Sequence, residues 1–187
     1  NFGRYVRNGN YIFGRIRMRF VIVTGMSGGG KRTALKMLED AGFYCVDNLP
    51  VPLIGKLVEL IAMPNGEIQK VALGLDVRAD QNFDDAQESL EKLKEAGYIF
   101  EILFLDASDE TLLKRYKESR RMHPLSTTQD SRIDDGIRKE RQILKEIKEK
   151  SDYIIDTSKL LTRNLKEELD RIFVNNEEYN SLMINIV

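Results

Sequence analysis

A glycine-rich segment that contains a lysine is the part of this sequence best suited to chemistry. It reads Gly25-Met-Ser-Gly-Gly-Gly-Lys-Arg-Thr33 and follows the apolar run Phe20-Val-Ile-Val-Thr24. It fits the phosphate-loop pattern G-x-x-x-x-G-K-[ST] at every position except the last. Glycines let the backbone turn with its N–H groups inward, and a helix starting at Lys31 adds its positive dipole end. The segment therefore predicts a site for the phosphate chain of a nucleotide.

Two residues of this segment have defined roles in the pattern. Lys31 would reach the β and γ phosphates as a point charge, and the next residue normally supplies a hydroxyl to Mg²⁺. Here that next residue is Arg32. A purely structural glycine turn is the alternative interpretation. The residues predicted to contact nucleotide are Gly25, Met26, Ser27, Gly28, Gly29, Gly30, Lys31, Arg32 and Thr33.

Apolar runs of strand length alternate with segments of helical periodicity along the chain. This alternation predicts an α/β fold of three layers, a five-stranded parallel P-loop sheet of the kinase-like type with helices on both faces. The predicted strands are 19–24, 43–46, 70–75, 99–105 and 152–156. The predicted helices are 31–41, 51–62, 82–96, 108–121, 132–150 and 162–174. Ser108 and Thr162 are predicted as helix N-caps.

Three acidic residues, Asp47, Asp76 and Asp106, each end a predicted strand. Ligands of open α/β sheets lie beyond the carboxyl ends of the strands, so these acids are expected to converge near Lys31. Asp76 is predicted as the metal residue, which holds Mg²⁺ through a water or orients the attacking group. Lys31, Asp47 and Asp76 are therefore candidate catalytic residues. For each acid the alternative is a turn or capping role.

A second group of basic residues follows the fourth predicted strand. Its members are Lys114, Arg115, Lys117, Arg120, Arg121 and Arg132. Pro124 ends the helix there and a loop follows. In small P-loop kinases an arginine-bearing lid folds over the transferring phosphate, so Arg120 and Arg121 are also candidate catalytic residues. The alternative is a solvated helix face, for which Glu110 and Lys114 have the spacing of an ion pair.

Other polar residues have less specific interpretations. His123, the only histidine, is expected to be a packed or exposed loop residue rather than a base. Residues 138–150, including Glu140, are expected to form mostly a solvated helix surface. Asp156-Thr-Ser158 follows the last strand, where purine-binding loops of such kinases usually sit. A simple turn before the next helix explains that segment equally well.

Composition and charge limit the classes of function. The chain has 187 residues, 42% of them hydrophobic, and a formal charge of -1, which suggests one domain. Residues 1–17 carry four of the 29 basic residues and no acid, so 25 basic residues remain against 30 acidic ones. This acidic balance argues against a nucleic-acid-binding surface. We interpret 1–17 as an upstream or vector-derived tail.

The rest of the chain divides into two parts. Residues 18–174 are predicted to form the nucleotide-binding domain. Residues 175–187 are a polar linker followed by a strand-like run, interpreted as the first strand of a C-terminal domain that this chain does not contain. The alternative is an edge strand of the same sheet. Cys45 is the single cysteine and is expected to be a buried core thiol, which favours a reducing cytoplasm and excludes an intrachain disulfide.

Four segments together resemble the RapZ/YvcJ family of bacterial nucleotide-binding proteins. They begin at Met18, Leu38, Asp76 and Arg120, and the most specific is Cys45-Val-Asp-Asn-Leu-Pro50. The resemblance, over about 18–187, implies ATP binding at the glycine-rich segment and weak nucleotide hydrolysis. It also implies GTP binding at Asp76, Val77, Arg78 and Ala79. Family members with a role act as RNase adapters that present small regulatory RNA for cleavage in amino-sugar control, through the C-terminal domain.

Two residues depart from the family pattern. Arg32 stands where the family has serine or threonine, and Ala79 stands where it has asparagine or serine. The first change removes a Mg²⁺ ligand and the second weakens base or ribose contacts. Thr33 is no simple substitute, because the next residue of a helix points about 100° away. The sequence thus predicts a purine-nucleotide-responsive regulatory domain. The alternative is a kinase of a small metabolite, and the oligomeric state is left open.

Overall fold

The computed structural model describes residues 6–7, 10–13, 16–50, 53–61, 68–75, 82–119, 123–125 and 133–175. Its strands are β1 (Val6–Arg7), β2 (Asn10–Phe13), β3 (Ile16–Gly25), β4 (Tyr44–Val46), β5 (Lys70–Gly74), β6 (Glu101–Asp106) and β7 (Tyr153–Asp156). Five of them form a parallel sheet in the order β4-β5-β3-β6-β7. The predicted five-stranded parallel sheet is confirmed. The central strand β3 is buried on both sides, as its unbroken apolar run requires.

Seven helices cover the two faces of this sheet within the described residues. They are α1 (Lys31–Asp40), α2 (Ile54–Ile61), α3 (Asn82–Glu95), α4 (Asp109–Ser119), α5 (Ile133–Ile143), α6 (Lys145–Glu149) and α7 (Thr162–Phe173). One apolar cluster packs α1 and α7 against the sheet. The other packs the five helices α2, α3, α4, α5 and α6 against it. Each helix buries the apolar stripe that its periodicity predicted. The three-layer α/β fold is therefore confirmed.

Two helix boundaries differ from the prediction. The single helix expected at 132–150 is divided at Leu144 into α5 and α6. Ser108 caps α4 as predicted, since its Oγ accepts the Thr111 N–H at 3.3 Å. The prediction for Thr162 was wrong, because Leu161 occupies the N-cap and Thr162 is already helical. An isolated threonine before a helical pattern fits the first turn as well as the cap.

Part of the predicted N-terminal tail has regular structure. β1 pairs with β2, and β2 pairs with the start of β3, both antiparallel. The register places Tyr11 opposite Met18 and Phe13 opposite Ile16. No strand was predicted here, because the segment is short and rich in arginine, asparagine and glycine. At the other end, the predicted linker and strand lie outside the described residues beyond Asn175.

Arg19 anchors the edge of the sheet at which β3 and β6 begin. Its guanidinium donates to both carboxylate oxygens of Glu101, at 2.7 and 3.1 Å. It also donates to the carbonyl oxygens of Ile172 and Phe173 and lies 4.9 Å from the Phe173 ring centre. A cation is favourable at the C-terminus of a helix, where carbonyl groups lack intrahelical partners. Arg19 therefore fixes α7 to the sheet at the edge opposite to the glycine-rich loop.

Candidate functional site

The glycine-rich loop, residues 25–30, connects the carboxyl end of β3 to α1 and passes close beneath β6. The N–H of Met26 donates to the carbonyl oxygen of Leu105 at 3.0 Å. A Cβ atom on Gly25 would lie 2.1 Å from that same oxygen, and its φ is +136°. Only glycine fits at such a close approach with such a backbone. The predicted position of the loop between strand and helix is confirmed by this geometry.

The start of α1 offers hydrogen-bond donors to an anion. Gly30 is the N-cap with φ +105° and makes no side-chain capping bond. The first hydrogen bond of the helix runs from the Ala34 N–H to the Gly30 carbonyl at 3.0 Å. The N–H groups of Arg32 and Thr33 therefore precede the helix ladder, and both residues are exposed. Together with the helix dipole, this arrangement is favourable for a phosphate group.

Two side chains from neighbouring elements hold the carbonyl groups of the loop. Arg115 of α4 donates to the Gly28 oxygen at 2.7 Å and to the Thr157 carbonyl at 2.8 Å. Thr157 follows β7 directly, and its hydroxyl donates to the Gly29 carbonyl oxygen at 2.9 Å. Since C=O and N–H point in opposite directions across a planar peptide, holding the Gly29 carbonyl turns the Gly30 N–H the other way. The loop conformation is thus fixed from outside.

A buried acid holds the middle of the loop. Glu140 of α5 accepts the Ser27 N–H at 3.0 Å and the Ser27 hydroxyl at 2.5 Å. The Nε2 atom of His123 lies 3.2 Å from the same carboxylate, and neither His123 nor Glu140 has an exposed side chain. The expectation of a solvated surface was wrong for Glu140, while the packed alternative for His123 is confirmed. A Cβ on Gly136 would lie 2.6 Å from the His123 ring, so this glycine makes room for it.

The hydrogen bonds define the charge state of this cluster. The Leu125 N–H donates to Nδ1 of His123 at 3.2 Å, so the proton of the neutral ring is on Nε2 and points to Glu140. Burial by itself raises the pKa of Glu140, but hydrogen bonds from His123 and Ser27 outweigh it and hold the pKa below its usual range. Glu140 is therefore an ionised carboxylate with a donor on each side.

Lys31 and Asp47 both lie at the carboxyl end of β5. The Lys31 ammonium lies 3.4 Å from the Leu75 carbonyl oxygen. The Asp47 carboxylate accepts the Asn48 N–H at 2.9 Å and lies against Gly74, where a Cβ would be 2.6 Å from its oxygen. Gly74 thus leaves the space that Asp47 uses. The structure places Asp47 beside Gly74, the last residue of β5, and Lys31 beside Leu75, which follows it.

Asp106 has a structural set of partners instead. Its carboxylate binds Arg141 at 3.0 Å and Lys148 at 2.6 Å, and it accepts the Ala107 N–H at 2.8 Å. Burial raises the pKa of Asp106, but these cations outweigh burial and hold the pKa below its usual value. Both oxygens are engaged on the side of α5 and α6. Asp106 is therefore ion-paired to α5 and α6, a role that differs from the turn or capping alternative.

Several predicted residues fall outside the described part of the chain. These are Asp76, Val77, Arg78, Ala79, Arg120 and Arg121. The metal role of Asp76, the GTP contacts and the arginine lid therefore stay predictions. Within the described ranges, no group of three or more His, Cys, Asp or Glu side chains could hold a metal ion. In the same ranges, no helix combines the length and apolar character that a membrane span requires.

The buried role of Glu140 has a signal in the sequence that the charge pattern concealed. Ile137, Glu140 and Leu144 have the spacing i, i+3, i+7, which puts them on one face of a helix. Ile137 and Leu144 are both buried, so the acid lies within the apolar stripe. An acid at a core position requires partners. Arg115 and Thr157 lie in segments that the sequence analysis names as candidates, but no signal there identifies their contacts with the loop, because their partners are backbone carbonyls of a distant segment.

The comparisons with known proteins agree with this geometry. The RapZ-like N-terminal domain matches residues 18–177. This chain belongs to the RapZ-like family. Relatives in that family include a "nucleotide-binding protein" of Lachnoclostridium phytofermentans, 55% identical over 91% of this chain and 59% of the relative. Another, from Clostridium kluyveri, is 60% identical over 83% of this chain and 53% of the relative. The RapZ-like chain thus spans a little over half the length of these relatives.

Solved structures show the same fold in distant proteins. Shikimate kinase from Acinetobacter baumannii, in complex with shikimate, superposes with a TM-score of 0.55 at 18% identity, over 87% of this chain and 96% of that chain. The tunicamycin resistance protein of Deinococcus radiodurans gives a TM-score of 0.51 at 15% identity, over 83% and 95%. At these identities the likeness concerns the fold alone. The RapZ-like chain therefore has the kinase-like P-loop fold of these structures.

Proposed function

We propose that this chain is the nucleotide-binding half of a regulatory protein, which binds ATP or GTP and hydrolyses it weakly or not at all. The observation that carries the proposal is the phosphate loop, with Lys31 at the start of α1 and the loop carbonyls held by Arg115 and Thr157. The relatives that share its sequence carry the name nucleotide-binding protein. Lys31 supplies the cation that the pattern requires for the phosphates.

Arg32 supports the regulatory interpretation over an efficient enzyme. It occupies the position that normally coordinates Mg²⁺ and is exposed on the first turn of α1. Its guanidinium can bind phosphate directly, and the same charge opposes a metal ion there. Metal supplies much of the charge neutralisation in phosphoryl transfer, so hydrolysis would be slow without it. In this proposal Asp76 is the remaining metal residue and Arg120 and Arg121 contact phosphate.

A kinase of a small metabolite is the second candidate. The position of both Asp47 and Lys31 at the carboxyl end of β5 supports it, because phosphoryl transfer to an acceptor uses an acid that orients the acceptor hydroxyl. The fold neighbour described in complex with shikimate is a kinase of a small acid. The two candidates differ in one observable. A kinase consumes ATP faster when its acceptor is present, whereas a regulatory domain binds ATP but shows no acceptor-dependent consumption.

The test is a titration of ATP and of GTP into the purified chain, with and without Mg²⁺. Lys31→Ala removes a charge-assisted contact worth about 1.5 to 3 kcal/mol and should weaken binding at least about tenfold. Lys36→Ala, an exposed lysine on the same helix, is the matched control and should bind as the unaltered chain does. Equal binding by Lys31→Ala and the unaltered chain would refute the phosphate-site proposal.

The partner of the whole protein is part of the same proposal. The relatives are about 1.7 to 1.9 times longer than the part matched here, and RNase-adapter contacts would lie in that further part. We propose that this chain alone does not bind RNA selectively, since from Met18 onward acids outnumber basic residues. A mobility-shift titration at physiological salt tests this. Tight, sequence-selective RNA binding by residues 18–187 would contradict it.

A further inference from the structure

The bond between Ser27 and Glu140 joins the middle of the phosphate loop to a helix 113 residues further along the chain. One carboxylate accepts both the N–H and the hydroxyl of Ser27. Because the two acceptor oxygens are rigidly joined, the backbone and the side chain of Ser27 are fixed together. Charge-assisted hydrogen bonds of this kind are about twice as strong as neutral ones.

Glu140 is itself held in place. His123 donates to it from Nε2, and Gly136 provides the space that the His123 ring occupies. Neither side chain reaches solvent. Water therefore cannot replace Ser27 as a partner without opening the packing between α5 and the loop. The arrangement of acceptor and donors is fixed before any ligand arrives.

The negative charge of Glu140 does not itself favour the binding of an anion. A buried carboxylate near a phosphate group repels it, and the repulsion is stronger where water is excluded. What the carboxylate provides is a pair of acceptors at Ser27, which lies between loop residues that the other anchors hold. Leu105 holds Met26 on one side of Ser27, and Arg115 holds the Gly28 carbonyl on the other.

We propose that Glu140 is a positioning residue for nucleotide binding: it holds Ser27, and through it the loop, in the anion-binding conformation. His123 holds Glu140 in turn. This inference rests on the proposed nucleotide-binding function and assigns a role to a residue that lies outside the phosphate-loop pattern. It predicts that acceptor geometry at position 140 matters to affinity and that the charge there does not.

Two substitutions at Glu140 separate geometry from charge. Glu140→Met has similar length without acceptors and should weaken ATP binding about fivefold or more, as expected when buried donors lose their partner. Glu140→Gln keeps one oxygen for the Ser27 N–H, and its amide can donate to the Ser27 hydroxyl. It should bind ATP within about twofold of the unaltered chain, since the hydrogen bonds are retained.

Glu101→Met is the matched control. Glu101 is also a largely buried glutamate with charged and hydroxyl partners, Arg19 and Tyr153, but it lies at the opposite edge of the sheet. The Glu101→Met substitution should lower thermal stability and leave the dissociation constant for ATP unchanged. If Glu140→Met does not fold, Ser27→Ala removes one of the two bonds and should still weaken ATP binding measurably.

Three results would overturn the inference. The first is ATP binding by folded Glu140→Met equal to that of the unaltered chain. The second is a loss in Glu140→Gln as large as in Glu140→Met, which would assign the effect to charge. The third, where Glu140→Met does not fold, is unchanged affinity in Ser27→Ala. Lys31→Ala in the same series separates the two proposals, since its unchanged binding would refute the phosphate site itself.

Discussion

Arg115 donates to the carbonyl oxygen of Gly28 at 2.7 Å and so ties helix α4 to the phosphate loop. The same guanidinium binds the hydroxyl and the carbonyl of Thr157 at 3.1 and 2.8 Å. A planar fork with several N–H groups can hold these acceptors together, and an ammonium group cannot. The loop is therefore held by a residue within α4 and by the residue that follows β7.

The first prediction concerns this fork. Arg115→Lys keeps the charge but loses the simultaneous bonds, and we expect ATP binding to weaken about threefold to tenfold, equivalent to about one hydrogen bond. Thr157→Val should act in the same direction because it frees the Gly29 carbonyl. Arg138→Lys, on the exposed surface of α5, is the control. ATP titration of the three variants measures the effect, and equal affinities would show that the fork is not needed for binding.

The second prediction concerns Arg32. A guanidinium about 4 Å from a phosphate charge gains on the order of 4 kcal/mol at an effective dielectric near 20, before desolvation. We therefore expect ATP binding that depends little on Mg²⁺. Arg32→Ser restores the hydroxyl of the pattern and should raise both Mg²⁺ dependence and turnover.

The control for Arg32 is Lys36→Ser, which removes an exposed positive charge one turn further along α1. It should change neither Mg²⁺ dependence nor turnover. Binding and phosphate release are measured for all three proteins with and without Mg²⁺. Brisk Mg²⁺-dependent hydrolysis by the unaltered chain, with the same rate in Arg32→Ser, would mean that Arg32 points away from the site.

The third prediction concerns the space beside Gly74. A Cβ there would lie 2.6 Å from the Asp47 carboxylate and 2.7 Å from the end of Leu35, so Gly74→Ala must displace both side chains. Over-packing of this kind costs about 1 to 3 kcal/mol of stability. If Asp47 acts on bound nucleotide, Gly74→Ala should lower turnover as Asp47→Asn does.

Gly55→Ala is the control for that substitution. Gly55 lies in α2 and a Cβ there meets nothing within 4 Å. The Gly55→Ala substitution should raise helix stability by up to about 1 kcal/mol and leave turnover unchanged. Thermal unfolding and phosphate release distinguish the variants. Unchanged turnover in both Gly74→Ala and Asp47→Asn would assign Asp47 a structural role.

The fourth prediction concerns acid stability. Since Arg141 and Lys148 hold the pKa of Asp106 below its ordinary value of 3.8, the ionised form stabilises the fold above that pH. The contribution disappears as pH falls through the lower folded pKa. Asp106→Asn should reduce the free energy of unfolding by about 2 kcal/mol near neutral pH, less than a fully buried pair because both cations are partly exposed.

Urea unfolding between about pH 7 and about pH 3 measures that contribution. The difference between Asp106→Asn and the unaltered chain should shrink toward the acid end. Asp135→Asn, whose exposed carboxylate pairs with Arg138 on α5, should show almost no difference at any pH. A difference for Asp106→Asn that stays constant with pH would show that its effect does not come from the ionised carboxylate.

Much of the fold was readable because local patterns decide it. The apolar runs predicted β4 to β7 within about two residues, while β3 begins at Ile16, before the predicted start at residue 19. The glycine and lysine spacing predicted the loop, since Gly25, Gly28 and Gly30 have positive φ angles that favour glycine. The hairpin of β1 and β2 was not predictable in this way. The hairpin pairs with the start of β3, and no local sequence pattern predicts that pairing.

The sequence by itself determined the class of fold and the glycine-rich loop, because strand alternation, helix periodicity and the G-x-x-x-x-G-K spacing are all short-range properties. The family followed from the resemblance of four segments, of which Cys45-Val-Asp-Asn-Leu-Pro50 is the most specific. Only the tertiary structure decided which residues hold that loop. Arg115, Thr157 and Glu140 lie 87, 128 and 113 residues from their loop partners. Their contacts depend on how α4, α5 and the end of β7 pack around the carboxyl edge of the sheet. A side chain recognises a backbone carbonyl or N–H that every residue has, so its choice of partner leaves no mark in the sequence.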